Sequence, residues 1–190
     1  MRRNYFYLTA ITVLLLIVPV LSSALEEKPA FIIRSKYFSI LGPENLNIVN
    51  VLTKLNYDYF LQVDSLLDRK GDSPKFILAK TLDAIFLESC RILGINVYSF
   101  ESTLEFLVNQ NMVKIVIKDI AGVDIEERAF YLHDLKTIYI SVEDLSVGVL
   151  GHEMAHAIIS NYFGAPPSGN IQEILAGYVD YSLSKSANKP

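Results

Sequence analysis

The sequence predicts an α+β fold in which a small mixed sheet packs on two consecutive helices. Two short runs rich in aromatic and β-branched residues, Ala129–Leu132 and Thr137–Val142, flank a four-residue turn and indicate a β-hairpin. The next stretch, Leu145–Phe163, has apolar residues at helical spacing and indicates a largely buried helix. After a turn that contains Gly164 and Pro166-Pro167, a second helix is expected.

Residues 30–74 are predicted to contain a strand, a helix and a loop. Residues 30–41 are expected to form one extended strand, which Gly42-Pro43 ends. A helix is predicted over residues 44–67, where leucine, valine and tyrosine recur every three or four positions. Turn-forming residues then predict a loop over residues 68–74.

Three further elements are expected between that loop and the hairpin. Residues 76–93 are predicted to form an apolar helix that Gly94 ends. A short helix is predicted over residues 102–110. Residues 112–118 alternate apolar and charged side chains, which predicts a half-buried strand.

The last helix is expected to begin at Ser168 or Asn170, since either side chain can cap it, and to end near Leu183 before a polar tail. With Asn170 as the cap, Glu173 stands at the third helical position. A glutamate at that position can bond back to the cap residue's N–H, so one interpretation of Glu173 is a capping box.

Residues 1–24 have the organisation of an export signal. Arg2-Arg3 precede an apolar run over Tyr5–Leu21, and the small residues Ser22-Ser23-Ala24 suit cleavage. An uncleaved membrane anchor is the alternative. Either interpretation predicts an exported, periplasmic or extracellular protein, with residues 25–190 as its single domain and no membrane contact outside the N-terminal segment.

Charge and cysteine content exclude some classes of protein. The formal net charge is −4, and it becomes −6 without residues 1–24, which carry two arginines and no acid. A basic surface for nucleic acid is therefore not expected. Cys90 is the only cysteine, so it cannot form an internal disulfide, and its apolar surroundings predict a buried core residue.

A metal-ligand pattern lies in the middle of the helix predicted over Leu145–Phe163. His152 and His156 are four residues apart, so both imidazoles project from one helix face and can reach a single zinc ion. Glu153 lies beside the first histidine, where its carboxylate can reach a water molecule on the metal. Two core histidines bonded to backbone carbonyls, with the glutamate at a solvent gap, are the alternative.

The pattern His152-Glu153-Met154-Ala155-His156, followed by Glu173 on a later helix, resembles the gluzincin branch of zinc metallopeptidases, and more narrowly the minimal, peptidase MA-like gluzincins. The resemblance implies a zincin-like fold with Zn²⁺ bound by His152, His156 and Glu173, and with Glu153 as catalytic base. Ala129-Phe130-Tyr131 is similar to the cleft-edge strand of thermolysin-like enzymes, which implies that an extended peptide binds along these three residues.

The chain also departs from that family. Thermolysin-like enzymes carry an acid four residues after the ligand glutamate, a position that is Gly177 here. Asp180 shares the helix face and is a candidate both for that orienting role and for the third ligand. The metzincin pattern is excluded, because it requires glycine at Ile159 and histidine at Tyr162.

The implied function is an exported zinc-dependent peptidase that cleaves peptide or protein substrates with a zinc-bound water activated by Glu153. An inactive or chaperone-like exported zinc-binding module is the alternative. An intramembrane protease is disfavoured, because only the apolar run before residue 22 is suited to span a membrane. Candidate donors to the oxyanion are His133, Tyr178 and Tyr181.

Overall fold

The computed structural model describes residues 31–63, 72–124 and 126–187, which form five strands and six helices. The predicted signal or anchor segment and part of the loop predicted over residues 68–74 lie outside these ranges. None of the described helices is long and apolar enough to cross a membrane. The elements are β1 (Phe31–Arg34), β2 (Phe38–Gly42), α1 (Ile48–Lys54), α2 (Tyr57–Val63), α3 (Pro74–Leu93), β3 (Ser102–Leu107), α4 (Gln110–Ala121), β4 (Ala129–Leu132), β5 (Thr137–Ser141), α5 (Val147–Tyr162) and α6 (Gly169–Ala187).

The strands form one mixed sheet in the order β1-β2-β3-β5-β4. The outer pairs, β1 with β2 and β4 with β5, are antiparallel, whereas β3 is parallel to both of its neighbours. The predicted α+β class with a small mixed sheet is therefore confirmed. Because β4 is at the edge of this sheet, one side of its backbone has no partner among the described strands.

The main core lies between one face of the sheet and the helices α1, α2, α3, α5 and α6. A smaller cluster on the opposite face joins α4 to β3 and β5 through Val113, Ile117, Leu107 and Tyr139. Helix α5 packs against α3, α6 and β4. The predicted metal-ligand helix thus lies at the centre of the molecule. Cys90 is buried in the main core, as predicted.

Two predicted elements of the first third are each divided in the structure. The strand predicted over residues 30–41 is the hairpin β1–β2, because Ser35 Oγ accepts hydrogen bonds from the N–H groups of Tyr37 and Phe38 and turns the chain. The helix predicted over residues 44–67 is interrupted between α1 and α2 by Asn56, whose φ is +49°. Asparagine is among the few residues that tolerate this left-handed conformation.

Two predictions of element type are wrong. Residues 102–110, predicted as a helix, contain the central strand β3, in which alternate residues such as Leu104 and Phe106 are buried. Residues 112–118, predicted as a strand, lie in helix α4, which Asn109 caps. Val113 and Ile117 are four residues apart, a helical spacing that the alternation of charges obscured.

The remaining elements agree with prediction. Helix α3 ends at Gly94, whose φ is +67°, and the hairpin β4–β5 leads into α5. Helix α6 extends beyond the predicted end near Leu183 to Ala187, because Leu183 and Ala187 are both buried. The predicted polar tail is therefore partly helical.

Two glycines allow α5 and α6 to approach closely. A Cβ atom built on Gly148 would overlap with the side chains of Asp180 and Ser184, and one on Gly151 would overlap with the Leu183 side chain. Both glycines are buried, and Leu183 is fully buried. The absence of a side chain at these two positions therefore sets the spacing of the two helices.

This packing predicts opposite effects for two glycine-to-alanine changes in helices. We expect Gly151→Ala to destabilise the protein by about 1–3 kcal/mol, because Leu183 must leave its packed position. Gly177→Ala on α6, where a Cβ would contact nothing within 4 Å, should stabilise it by about 0.5–1 kcal/mol through helix propensity. Urea unfolding of both variants measures these changes, and a stabilised Gly151→Ala variant would contradict the tight-packing interpretation.

Candidate metal centre

Helix α5 places two imidazoles side by side on one face. The helix begins after Ser146, whose side chain accepts a hydrogen bond from the Val149 N–H. His152 and His156, one turn apart, have ring centroids 4.9 Å apart, and their Nε2 atoms are separated by 3.2 Å. The four-residue spacing thus places both ring nitrogens close enough to bind one metal ion, as the sequence predicts.

The third donor comes from the first turns of α6. Glu173 Oε2 lies 3.4 Å from His152 Nε2, and Glu173 Oε1 lies 3.4 Å from His156 Nε2. The capping interpretation of Glu173 is wrong, because α6 already begins at Gly169 and Asn170 lies inside its first turn. Glu173 is the fifth helical residue, too far along to serve as the capping-box glutamate.

The three donor groups form a compact triangle that can hold a metal ion. Its ligand atoms lie within 4.8 Å of one another: the two Nε2 atoms are 3.2 Å apart, and each is 3.4 Å from a different oxygen of Glu173. One shared proton would account for the two close imidazoles. A shared proton would not account for the position of the carboxylate, whose oxygens lie farther from the nitrogens than the length of a charge-assisted hydrogen bond, about 2.7–2.9 Å. A cation held by both imidazoles and by the carboxylate would account for all three separations.

Burial favours the protonation state that a metal requires. It lowers the pKa of His156, and the neighbouring His152 lowers it further, whereas Glu173 and the hydrogen bond to Gln172 act in the opposite direction. A neutral imidazole keeps a lone pair for a metal, while an imidazolium does not. Gln172, which the sequence interpretation did not include, also donates from Nε2 to the Pro167 carbonyl at 2.8 Å and so ties the turn before α6 to the site.

Glu153 lies beside the triangle but is not part of it. Its side chain is buried, and burial raises the pKa of Glu153 to about 8. A hydrogen bond from the Tyr131 backbone N–H lowers the pKa, while the charges of Glu173 and Glu127 raise it. A carboxylate held in this way is more basic than one in water, which suits proton transfer.

A cleft of about 550 Å³ contains these groups. Its walls include Ala129, Phe130 and Tyr131, the residues predicted to bind substrate. The Ser141 N–H donates to the Arg128 carbonyl, so residue 128 bonds to β5. In an antiparallel ladder every second residue does so, and the N–H and C=O groups of Phe130 therefore also face β5. The N–H and C=O groups of Ala129 and Tyr131 therefore point away from the sheet, and Phe130 contributes through its side chain.

The candidate oxyanion donors and Asp180 differ in whether they line the cleft. His133 lies on its wall. Tyr178 and Tyr181 are 57% and 62% exposed and do not line it. Asp180 lines an adjoining recess with His152 and Glu173, and its Oδ1 accepts a hydrogen bond from Ser184 at 3.1 Å. It lies outside the donor triangle.

Comparisons with protein-family models, with curated proteins and with solved structures find no match for this chain. The chemistry of the site therefore rests on the geometry of its own residues.

Proposed function

We propose that this protein is a zinc-dependent peptidase with a zincin-like arrangement of a ligand-bearing helix pair beside an edge strand. The observation that carries the proposal is the triangle of His152, His156 and Glu173, with Glu153 held next to it but outside it. Three protein donors leave one position of a tetrahedral ion open, which distinguishes catalytic zinc sites from closed structural ones.

The donor set fits zinc by chemistry and by size. Imidazole and carboxylate are common zinc ligands, with bonds of about 2.0–2.2 Å. In a tetrahedral site, bonds of that length separate the donor atoms by about 3.3–3.6 Å. The 3.2 Å between the two nitrogens and the 3.4 Å from each nitrogen to one of the two Glu173 oxygens lie close to this range. Calcium and magnesium sites, by contrast, are built from oxygen donors.

In this proposal the residues divide the work of peptide hydrolysis. When bound, the ion supplies Lewis acidity, which polarises the scissile carbonyl and makes water a better proton donor. Glu153 takes the proton from the attacking water and gives it to the leaving amine. The Tyr131 N–H fixes the position of that carboxylate, and the extended peptide binds to the Ala129 N–H and C=O groups and to the Tyr131 carbonyl.

Metal analysis tests the proposed ion. We expect full-length protein purified with zinc and then dialysed to retain about one zinc per chain, because all three donors are already in place. His156→Ala should reduce the zinc content strongly, whereas Asp180→Asn should not. A zinc content near zero in folded, metal-replete protein would refute the proposal.

The second candidate function is a zinc-binding module without turnover. It shares the donor triangle but has no use for a buried carboxylate of raised pKa beside the metal donors. Glu153 therefore favours the peptidase. The two functions differ in one measurable result, which is metal-dependent hydrolysis of an unstructured protein such as casein.

A further inference from the structure

The wall of the cleft carries an acidic residue that the proposed hydrolysis does not use. Glu127 lines both the main cleft and the adjoining recess, two residues before the free backbone groups of Ala129. It makes no hydrogen bond or salt bridge to any residue within the described ranges. Among the residues that the structure describes, no lysine or arginine lines the main cleft, and Arg128 lines only the recess.

The neighbouring acids are in a different situation. Lys114 Nζ lies 3.0 Å from an Asp124 carboxylate oxygen and 3.4 Å from one of Glu126, and Lys118 also pairs with Asp124. Neither Asp124 nor Glu126 lines the cleft. The lysines of α4 thus pair with Asp124 and Glu126 outside the cleft, whereas the Glu127 carboxylate faces the cleft without such a pair.

The position of Glu127 before the edge strand indicates which part of a substrate it faces. Glu127 lies two residues before β4 begins, and an extended chain advances about 3.3 Å per residue, so Glu127 is at most about 13 Å from Tyr131, whose N–H contacts the base. A peptide extended along β4 would place a side chain about two to four residues from the scissile bond next to this carboxylate. A cationic side chain there would give Glu127 an oppositely charged partner.

We propose that Glu127 is a specificity-determining residue that selects peptides with a lysine or arginine on the Ala129 side of the scissile bond. The inference rests on the proposed function for its substrate class. Because Glu127 is exposed, the expected preference is modest, up to about fivefold per ion pair. It should weaken as salt is added.

The test measures binding as well as cleavage. Fluorescent decapeptides that carry one lysine, glutamine or glutamate at successive positions are titrated into full-length, zinc-loaded Glu153→Gln protein, which keeps peptides intact. The same set is titrated into proteins that also carry Glu127→Gln, Glu127→Lys or Glu126→Lys. Glu126→Lys is the matched control, because it makes the same charge change one residue away and outside the cleft.

We expect the lysine peptides to bind more tightly than the glutamine peptides at one or two positions. That preference should disappear in Glu127→Gln, reverse towards glutamate in Glu127→Lys, and persist in Glu126→Lys. The inference is overturned if no peptide binds, if charge has no effect, or if Glu126→Lys acts as strongly as Glu127→Lys. Charge-selective binding by a protein that hydrolyses nothing would refute the peptidase and leave the role of Glu127 intact.

Discussion

Glu153→Gln is expected to lower kcat/KM for peptide hydrolysis by about 10²–10⁴-fold, the range that a positioned general base contributes. Glutamine keeps the side-chain length and an acceptor for the Tyr131 N–H, but it cannot take a proton. Zinc content should be unchanged, because Glu153 lies outside the donor triangle. Initial rates on a quenched fluorescent peptide, together with metal analysis, measure both quantities.

Stability separates this effect from misfolding. Burial raises the pKa of Glu153, so the ionised carboxylate disfavours the metal-free folded state at neutral pH, and its contribution grows less favourable as pH rises from its unfolded pKa towards 8. Metal-free Glu153→Gln should therefore unfold at the same temperature as the parent or higher. Glu143→Gln, an exposed change before α5, is the control and should retain activity. Undiminished hydrolysis by Glu153→Gln would remove Glu153 as the base.

Glu173→Gln is expected to abolish hydrolysis by a different route, through loss of the metal. The amide is a much poorer zinc ligand than the carboxylate, and replacing residues that only orient a ligand already costs about 10–100-fold in affinity. We expect at least that loss for Glu173. Competition with a chromophoric chelator gives the zinc dissociation constant.

The fold should survive this change, since the Glu173 side chain is 63% exposed and is not needed as a helix cap. Asp180→Asn, two turns along the same helix, is the matched variant and is expected to bind zinc as the parent does. Should Asp180→Asn lose zinc while Glu173→Gln retains it, the third donor is Asp180, and the triangle of His152, His156 and Glu173 is not the metal site.

Local sequence signals were sufficient for the elements that carry the site. The hairpin, α5 and the start of α6 follow from β-branched runs, a helical apolar pattern and a Gly/Pro turn, all of which act within a few residues. The meeting of His152 with His156 also follows from helix geometry alone. That Glu173 joins them depends on how α5 and α6 pack, a tertiary property that no local pattern contains.

The errors have physical causes as well. Residues 102–107 form a strand because β2 and β5 flank them, although those partners are more than 30 residues away in sequence in each direction. Lys114 and Lys118 gave α4 the appearance of an alternating strand, whereas their four-residue spacing places both on one helix side. Glu127 was missed because a single acid in a loop carries no spacing signal.

The two glycines of α5 make the geometry of the candidate metal site depend on buried positions away from it. The histidines are fixed to α5 and the third donor to α6, so the gap between the helix backbones determines how well the three donors converge. Gly148 and Gly151 set that gap from the side of α5 that packs on α6. If the proposed activity is present, a screen for its loss should therefore recover substitutions at both positions, although neither glycine would touch the proposed metal ion or peptide.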